Sequence, residues 1–379
     1  MDHGGRTSTN VEIIGMIATQ EASEILPLQG APIDADFTAR FAQAHEAAGF
    51  DRVLIGYGSH WADGWQVANH VARVTDQLKL LLAHRPGFVA PSLTARQAIS
   101  FDHLAGGGRL ALHIITGGDE ADQHRDGDFL DHDARYRRTA EYLHIVRSLL
   151  AGSQPLDFDG EFYRVRGARL PAGPATSTGI PIYFGGASPA AVDVGARYAD
   201  VYMLWGEPLA QAQSRIDAVR ASAASVGRSV GFSVSVRPIL GATEAEAWTR
   251  AEEVAQRAME QRERFAGYRG RRDSSSVGSA RLLAAAAEAE VHDERLWTRI
   301  AAITGAPGNS TALVGTPEQV CAALLRYVEL GCDRLLIRGF WPFNDCIEYG
   351  QELIPRIREA TGRLDSRVIQ HPWAERSAP

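Results

Sequence analysis

The sequence predicts an α/β protein of the (β/α)8, or TIM, barrel type carrying insertions. Three observations predict it: short apolar, β-branched runs recur throughout, amphipathic helical stretches separate them, and the alternation repeats about eight times in 379 residues. The runs are continuously apolar rather than alternating, as strands buried on both faces require. In chain order, strand 11–18 precedes helix 34–48, strand 52–55 precedes helix 65–74, and strand 78–83 precedes helix 92–105. Strand 110–115 precedes helix 135–150, strand 180–184 helix 189–198, and strand 199–204 helix 209–226. Strand 231–240, helix 317–330 and strand 334–337 complete the ring. Gly106-Gly-Gly108 lies between a helix and a strand, which fits a helix C-cap turn and is the wrong order for a dinucleotide-binding loop. A minimal barrel takes roughly 250 residues, so this chain carries on the order of a hundred more, expected at 19–33, 117–131, 151–179 and 241–310. Residues 1–379 read as one domain without a linker. The stretch 267–280, rich in Gly, Ser and Arg, reads as a mobile loop: a lid whose Arg269, Arg271 and Arg272 close over an anion, or a plain solvated loop.

Composition narrows the function. With 45% hydrophobic and 22% charged residues the chain is an ordinary globular protein. Its 39 basic residues, all but Lys79 arginine, against 46 acidic ones give a net charge of -7. No chain-wide positive field exists to hold nucleic acid or an anionic membrane, and any anion needs a local site. Cys321, Cys332 and Cys346 have neither CxxC spacing nor histidines at ligand spacing, so neither a disulfide framework nor a metal site is expected. No run approaches the roughly 18 apolar residues of a membrane span, and the cytoplasm is the expected compartment.

The clearest local signal is Tyr183-Phe-Gly-Gly-Ala-Ser-Pro189. A strand runs into two glycines, then a serine at N-cap position and a proline in the first helical turn, a helix N-terminus suited to phosphate through Gly186 and Ser188. The competing reading is simple capping of a structural helix. A second signal is His113-Ile-Ile-Thr-Gly-Gly118, where a histidine at a strand end either faces the barrel mouth or sits satisfied in the core. Third, Asp131 to Tyr142 opens a helix with Asp133 suited to capping it, while Arg135 in the first turn opposes the helix dipole and therefore needs a partner, a nearby carboxylate or a ligand phosphate. Tyr136 beside it can stack on a ring or bond a phosphate. Polar and aromatic residues past other strand ends, Tyr57 to Trp61, Trp205, Arg237, Phe340 and Trp341, suit a flat cofactor or equally a barrel rim. P-loop, GxSxG and HExxH signatures are absent.

The ordered runs Leu78-Lys-Leu-Leu-Leu-Ala-His-Arg-Pro86, Phe101-Asp-His-Leu-Ala-Gly-Gly-Gly-Arg109, Gly127-Asp-Phe-Leu-Asp-His-Asp-Ala-Arg-Tyr136, Tyr183-Phe-Gly-Gly-Ala-Ser188 and Trp205-Gly-Glu-Pro208 resemble the bacterial luciferase-like FMNH2-dependent monooxygenases, nearest to the alkanesulfonate monooxygenases. The resemblance runs from about Val11 to Ile357. It implies a barrel that takes FMN in reduced form from a separate NAD(P)H-dependent flavin reductase, activates O2 as a flavin peroxide, and converts a small-molecule alkanesulfonate to aldehyde and sulfite, working as a homodimer or homotetramer. It assigns Tyr57 and Gly58 to the flavin wall, His113 and Thr116 to the flavin edge, Asp122 to a nearby loop contact, Arg135 and Tyr136 to the flavin and its phosphate, and Ser188 with Gly186 to the phosphate. His60, Trp205 and Arg237 are the candidate catalytic residues.

Two departures matter. His113 stands where the family usually has asparagine; both donate and accept hydrogen bonds, but only histidine changes charge near neutrality. On the substrate side, the family's cysteine, arginine, histidine, arginine and tyrosine are replaced by Trp61, Ser235, Arg237, Thr304 and Phe340. Most of a sulfonate cradle is thereby lost, with Arg237, on the same strand face as Ser235, the expected substitute, and Arg338 and the lid arginines weaker ones. Oxygenation of a heterocycle, amide or other organosulfur compound is the alternative within the family. An F420- or flavin-dependent oxidoreductase is the alternative outside it.

Overall fold

The computed structural model describes residues 11–117, 119–152, 154–265 and 276–362. Eight parallel strands close on themselves: β1 Glu12–Ile17, β2 Arg52–Ile55, β3 Lys79–His84, β4 Leu110–Ile114, β5 Ile182–Gly185, β6 Val201–Trp205, β7 Gly231–Leu240 and β8 Cys332–Ile337. Each pairs with the next, and β8 returns to β1 with Ile14 opposite Leu336. The barrel expectation holds, and the eight predicted strands lie within about two residues of those observed. Helices separate the strands where the continuous apolar runs give way to a 3.6-residue apolar period.

The interior is filled by Ile14, Leu81, Ala111, Tyr183, Val201 and Leu336. Because side chains alternate along a strand, this layer tells which neighbours face inward: Glu12, Arg52 and Arg334 toward the strand N-termini, and Met16, His113, Gly185, Ser235 and Arg338 toward the C-terminal mouth. At the floor a polar cluster replaces apolar packing. Glu12 pairs with Arg52 at 3.0 Å and Arg334 at 3.4 Å, and accepts the Tyr183 hydroxyl at 2.8 Å. Burial opposes a charge on Glu12, but Arg52 and Arg334 outweigh it and hold the carboxyl at about 2.

The insertions take regular forms that the sequence reading left undivided. Residues 117–131 contain the helix Glu120–Arg125, residues 151–179 an antiparallel hairpin of Leu156–Asp159 and Arg164–Ala168, and residues 241–310 the helices Glu244–Phe265, Val277–Glu288 and Arg299–Thr304. An unforeseen strand, Ala312–Gly315, pairs with the second half of β7, whose first half belongs to the barrel. Residues 19–33 form an irregular strap whose Ile25 is buried beside Ile239, Val254 and Trp297 in the insertion's own core. Residues 266–275, with Arg269, Arg271 and Arg272, and Gly118 lie outside the described residues. No helix among the described residues is long and apolar enough to cross a membrane.

Candidate functional site

The turn expected to receive a phosphate lies where β5 meets the helix Pro189–Tyr198, at the mouth end of the barrel. Ser188 caps that helix, its Oγ accepting from the Ala191 amide at 3.2 Å, and Pro189 starts it without wasting a donor. The turn is held from behind. Gly186 O accepts from Tyr202 Oη at 2.8 Å and Arg215 at 2.9 Å, and Ala187 O from Arg215 at 2.8 Å. A Cβ on Gly186 would lie 2.5 Å from the Ala191 Cβ and 3.1 Å from the Tyr136 hydroxyl, so glycine is required for this approach. Burial raises the Tyr136 phenol above its ordinary range, although a hydrogen bond with Ser188 and the charge of Arg135 oppose the rise.

Arg135 is only 4% exposed, and its hydrogen bond to a described residue goes to the Leu130 carbonyl at 2.7 Å. Its Nε has no partner, and no carboxylate pairs with it among the described residues. The expected carboxylate partner is therefore not found there. Asp131 rather than Asp133 caps the helix His132–Ala151, accepting from Ala134 N at 2.7 Å, because the helix begins one residue after Asp131. Asp133 is exposed and meets His132. A buried cation without a counter-ion among the described residues, next to Tyr136 and through it Ser188, fits an anionic group.

His113 projects from β4 into the mouth against Gly185, whose hypothetical Cβ would lie 3.3 Å from His113 Nε2. Both ring nitrogens are buried without a hydrogen-bond partner among the described residues, and burial lowers the imidazole to about 4, so it stands neutral with one donor and one acceptor unused there. Thr116 is buried next along the chain, its hydroxyl 3.3 Å from that of Thr139 and its carbonyl accepting from Gln123 at 2.9 Å.

Along the adjoining rim, past β2, β3 and β4, Tyr57, Ser59, Arg85, Asp122 and Asp126 interlock. Ser59 N and Oγ donate to Asp122 Oδ1 at 3.1 and 2.6 Å, Arg85 meets Asp122 Oδ2 at 2.6 Å, and Tyr57 Oη donates to Asp126 at 2.8 Å. Arg85 also lies 4.5 Å over the Tyr57 ring, which stacks on Phe88. Asp122 thus accepts from Ser59 and pairs with Arg85, and so fastens the loops together, the nearby loop contact expected of it. Gly58 carries the ring of Trp61, a Cβ there falling 3.1 Å from it.

The three candidate catalytic residues separate. His60 is exposed and lies edge-on to Trp61 at 6.3 Å. Trp205 is half-buried beneath the insertion, where a Cβ on Gly278 would come within 2.8 Å of its ring, and it forms a wall. Arg237 is not a free cation. It is buried, 2.7 Å from Glu24, and stacked on Phe340, so the expected anion substitute already has its anion. Ser235 is buried on the same strand face, and the Thr304 hydroxyl donates to Ile300 O within its own helix. Sequence reasoning passed over Arg85, Glu24, Tyr202 and Arg215. Arg85 directly follows a strand and was findable by position, whereas Glu24 and Arg215 carry no local signal.

Residues 13–334 match the sequence model of the luciferase-like monooxygenases. Among solved structures, riboflavin lyase with modified FMN and riboflavin superposes at a TM-score of 0.76 with 20% identity, covering 94% of this chain and 93% of that one. EDTA monooxygenase from Chelativorans sp. BNC1 gives 0.73 with 17% identity and 96% and 99% coverage. An F420-dependent secondary alcohol dehydrogenase in complex with an F420-acetone adduct gives 0.66 with 15% identity, covering 92% and 99%. At these identities the likeness is one of fold.

Proposed function

The chain belongs to the luciferase-like monooxygenase family, a family of flavin-dependent enzymes, and from that premise we propose that it is the oxygenase of a two-component system, taking reduced FMN from a separate NAD(P)H-dependent reductase and oxygenating a small organic molecule with O2. The observation that carries this reading is Arg135, a buried charge without a carboxylate among the described residues, next to Tyr136, whose hydroxyl meets Ser188 at a helix N-terminus. Arg135, Ser188 and the Gly186 turn would hold the phosphate, and Tyr136 would bond it or the ring. Tyr57 and Gly58 would wall the isoalloxazine, while His113 and Thr116 would meet its polar edge. When bound, the reduced flavin supplies the electrons and the position at which O2 is activated. The chain's part is to orient it, to exclude water with Trp205 and the strap, and to keep His113 neutral as a hydrogen-bonding group.

Oxygenolytic desulfonation is the finer reaction that the resemblance implies, yet Arg237 and Arg338 are both committed to Glu24. A non-sulfonate substrate, such as a heterocycle, an amide or another organosulfur compound, is therefore the better supported reading. Sulfite release from a panel of alkanesulfonates, measured with a flavin reductase, decides it: sulfite above the reductase-only control restores the sulfonate reading. For the cofactor, anaerobic fluorescence titration with reduced FMN and with F420 is the test. Tight F420 binding without FMNH2 binding overturns the proposal. Arg135→Ala together with Ser188→Ala should weaken FMNH2 binding by roughly 1.5 to 3 kcal/mol for each charge-assisted bond lost, and unchanged affinity would place the phosphate elsewhere.

A further inference from the structure

The strap between β1 and the helix Ala35–Ala47 brings Glu24 between two arginines at the mouth. Arg237 is 1% exposed; its guanidinium lies 3.5 Å above the Phe340 ring, Nη2 donates to Gly339 O at 2.9 Å, and Nη1 sits 2.7 Å from Glu24 Oε2. Arg338, two residues beyond the inward-facing Leu336, gives Nη2 to Glu24 Oε1 at 3.2 Å. Its Nη1 finds only the Met16 thioether at 3.7 Å among the described residues. The carboxylate is fixed from both sides: Ser23 Oγ donates to Phe340 O at 2.6 Å, and Ile25 is buried in the insertion core. Burial works against a charge on Glu24, but Arg237 and then Arg338 outweigh it and hold the carboxyl at about 2.

Resting on the monooxygenase reading, we infer that Glu24 is a built-in counter-anion occupying the place a substrate sulfonate or carboxylate would take, so that the mouth selects an uncharged substrate with a hydrogen-bond acceptor for Arg338 Nη1. Charge and anchoring give this selection its direction. Two guanidinium groups against one carboxylate leave one positive charge, which repels a cation. A sulfonate or carboxylate that must engage both guanidinium groups would have to displace a carboxylate tethered at Ser23 and Ile25, exchanging one ion pair for another with no net gain. A neutral carbonyl or amide oxygen meets the Nη1 donor, whose present partner is a weak sulfur acceptor, and displaces nothing.

Calorimetric titration of the flavin-free protein with methanesulfonate tests this. Glu24→Gln keeps the shape and removes the charge. It should tighten methanesulfonate binding on the order of tenfold or more over wild type, because charge-assisted donors are released. Adding Arg338→Met should remove most of the gain. Equal binding by wild type and Glu24→Gln, or a gain that Arg338→Met leaves whole, overturns the inference. Should Glu24→Gln fail to fold because Arg237 is left buried without a counter-charge, Glu24→Gln/Arg237→Met removes both members of the buried pair; a gain over wild type there supports the inference and its absence overturns it. Titrating wild type with reduced FMN separates the two readings. A protein that binds no FMNH2 counts against the monooxygenase, while the methanesulfonate comparison still decides the role of Glu24.

Discussion

His113 stands at the end of β4 against Gly185 of the neighbouring strand. Its position at a strand end marks it as a mouth residue, but its state depends on neighbours contributed by other strands. Both ring nitrogens are buried and unpartnered among the described residues, so a ligand that satisfies them recovers hydrogen bonds now unmade. His113→Asn, which retains a donor and an acceptor, should keep FMNH2 affinity close to wild type, whereas His113→Leu should lower it by roughly 1 to 3 kcal/mol in the same fluorescence titration. Two further histidines, His45 and His84, are buried and brought to about 4, chiefly by burial. The unfolded chain takes up their protons near the ordinary value of 6.5, so it binds more protons than the folded chain between 6.5 and about 4. Stability is therefore full above 6.5 and falls as the pH drops through that window, by roughly 2 kcal/mol per histidine from pH 7 to pH 5. Urea unfolding at the two values measures this; equal midpoints would contradict it.

At the scale of elements, the strands were legible because parallel strands buried on both faces must be continuously apolar, and the helix Pro189–Tyr198 because its serine cap and proline state its start. The strand Ala312–Gly315 was hidden: it is four residues long and is defined by pairing with β7 rather than by its own pattern. The Glu24 strap was illegible for a related reason, since its partners Arg237 and Arg338 lie more than 200 residues away in sequence and no periodicity links them. The loop carrying Tyr57 and Ser59 is likewise set by the distant helix Glu120–Arg125 through Asp122. Asp122→Ala removes the acceptor for Ser59 and the closest counter-charge of buried Arg85. It should cost about 2 kcal/mol or more and speed amide exchange at Ser59, as hydrogen–deuterium exchange would record. Protection equal to wild type would mean the rim is fastened otherwise.

For the whole molecule, the barrel is closed at its floor by ion pairs and open to chemistry at its mouth. Glu12 balances Arg52 and Arg334, and its carboxyl is held at about 2 against an ordinary 4.5, so its contribution is present above 4.5 and is lost as pH falls toward 2. Glu12→Gln leaves buried Arg52 short of its counter-charge, while Arg334 keeps Asp333, and should destabilise the fold by about 3 kcal/mol in chemical denaturation at pH 7. The mouth differs in purpose: its unsatisfied groups, His113 and Arg135, await something, whereas the floor has satisfied its own.

One strand belongs to two structures at once. Gly231–Leu240 contributes its first half to the ring and its second half to the insertion's sheet, with the Arg237 amide bonded to Thr311 O at 3.0 Å. It acts as a girder: the outer sheet cannot swing away from the barrel without tearing backbone ladder bonds, so substrate traffic has to be admitted by smaller parts than the insertion as a whole.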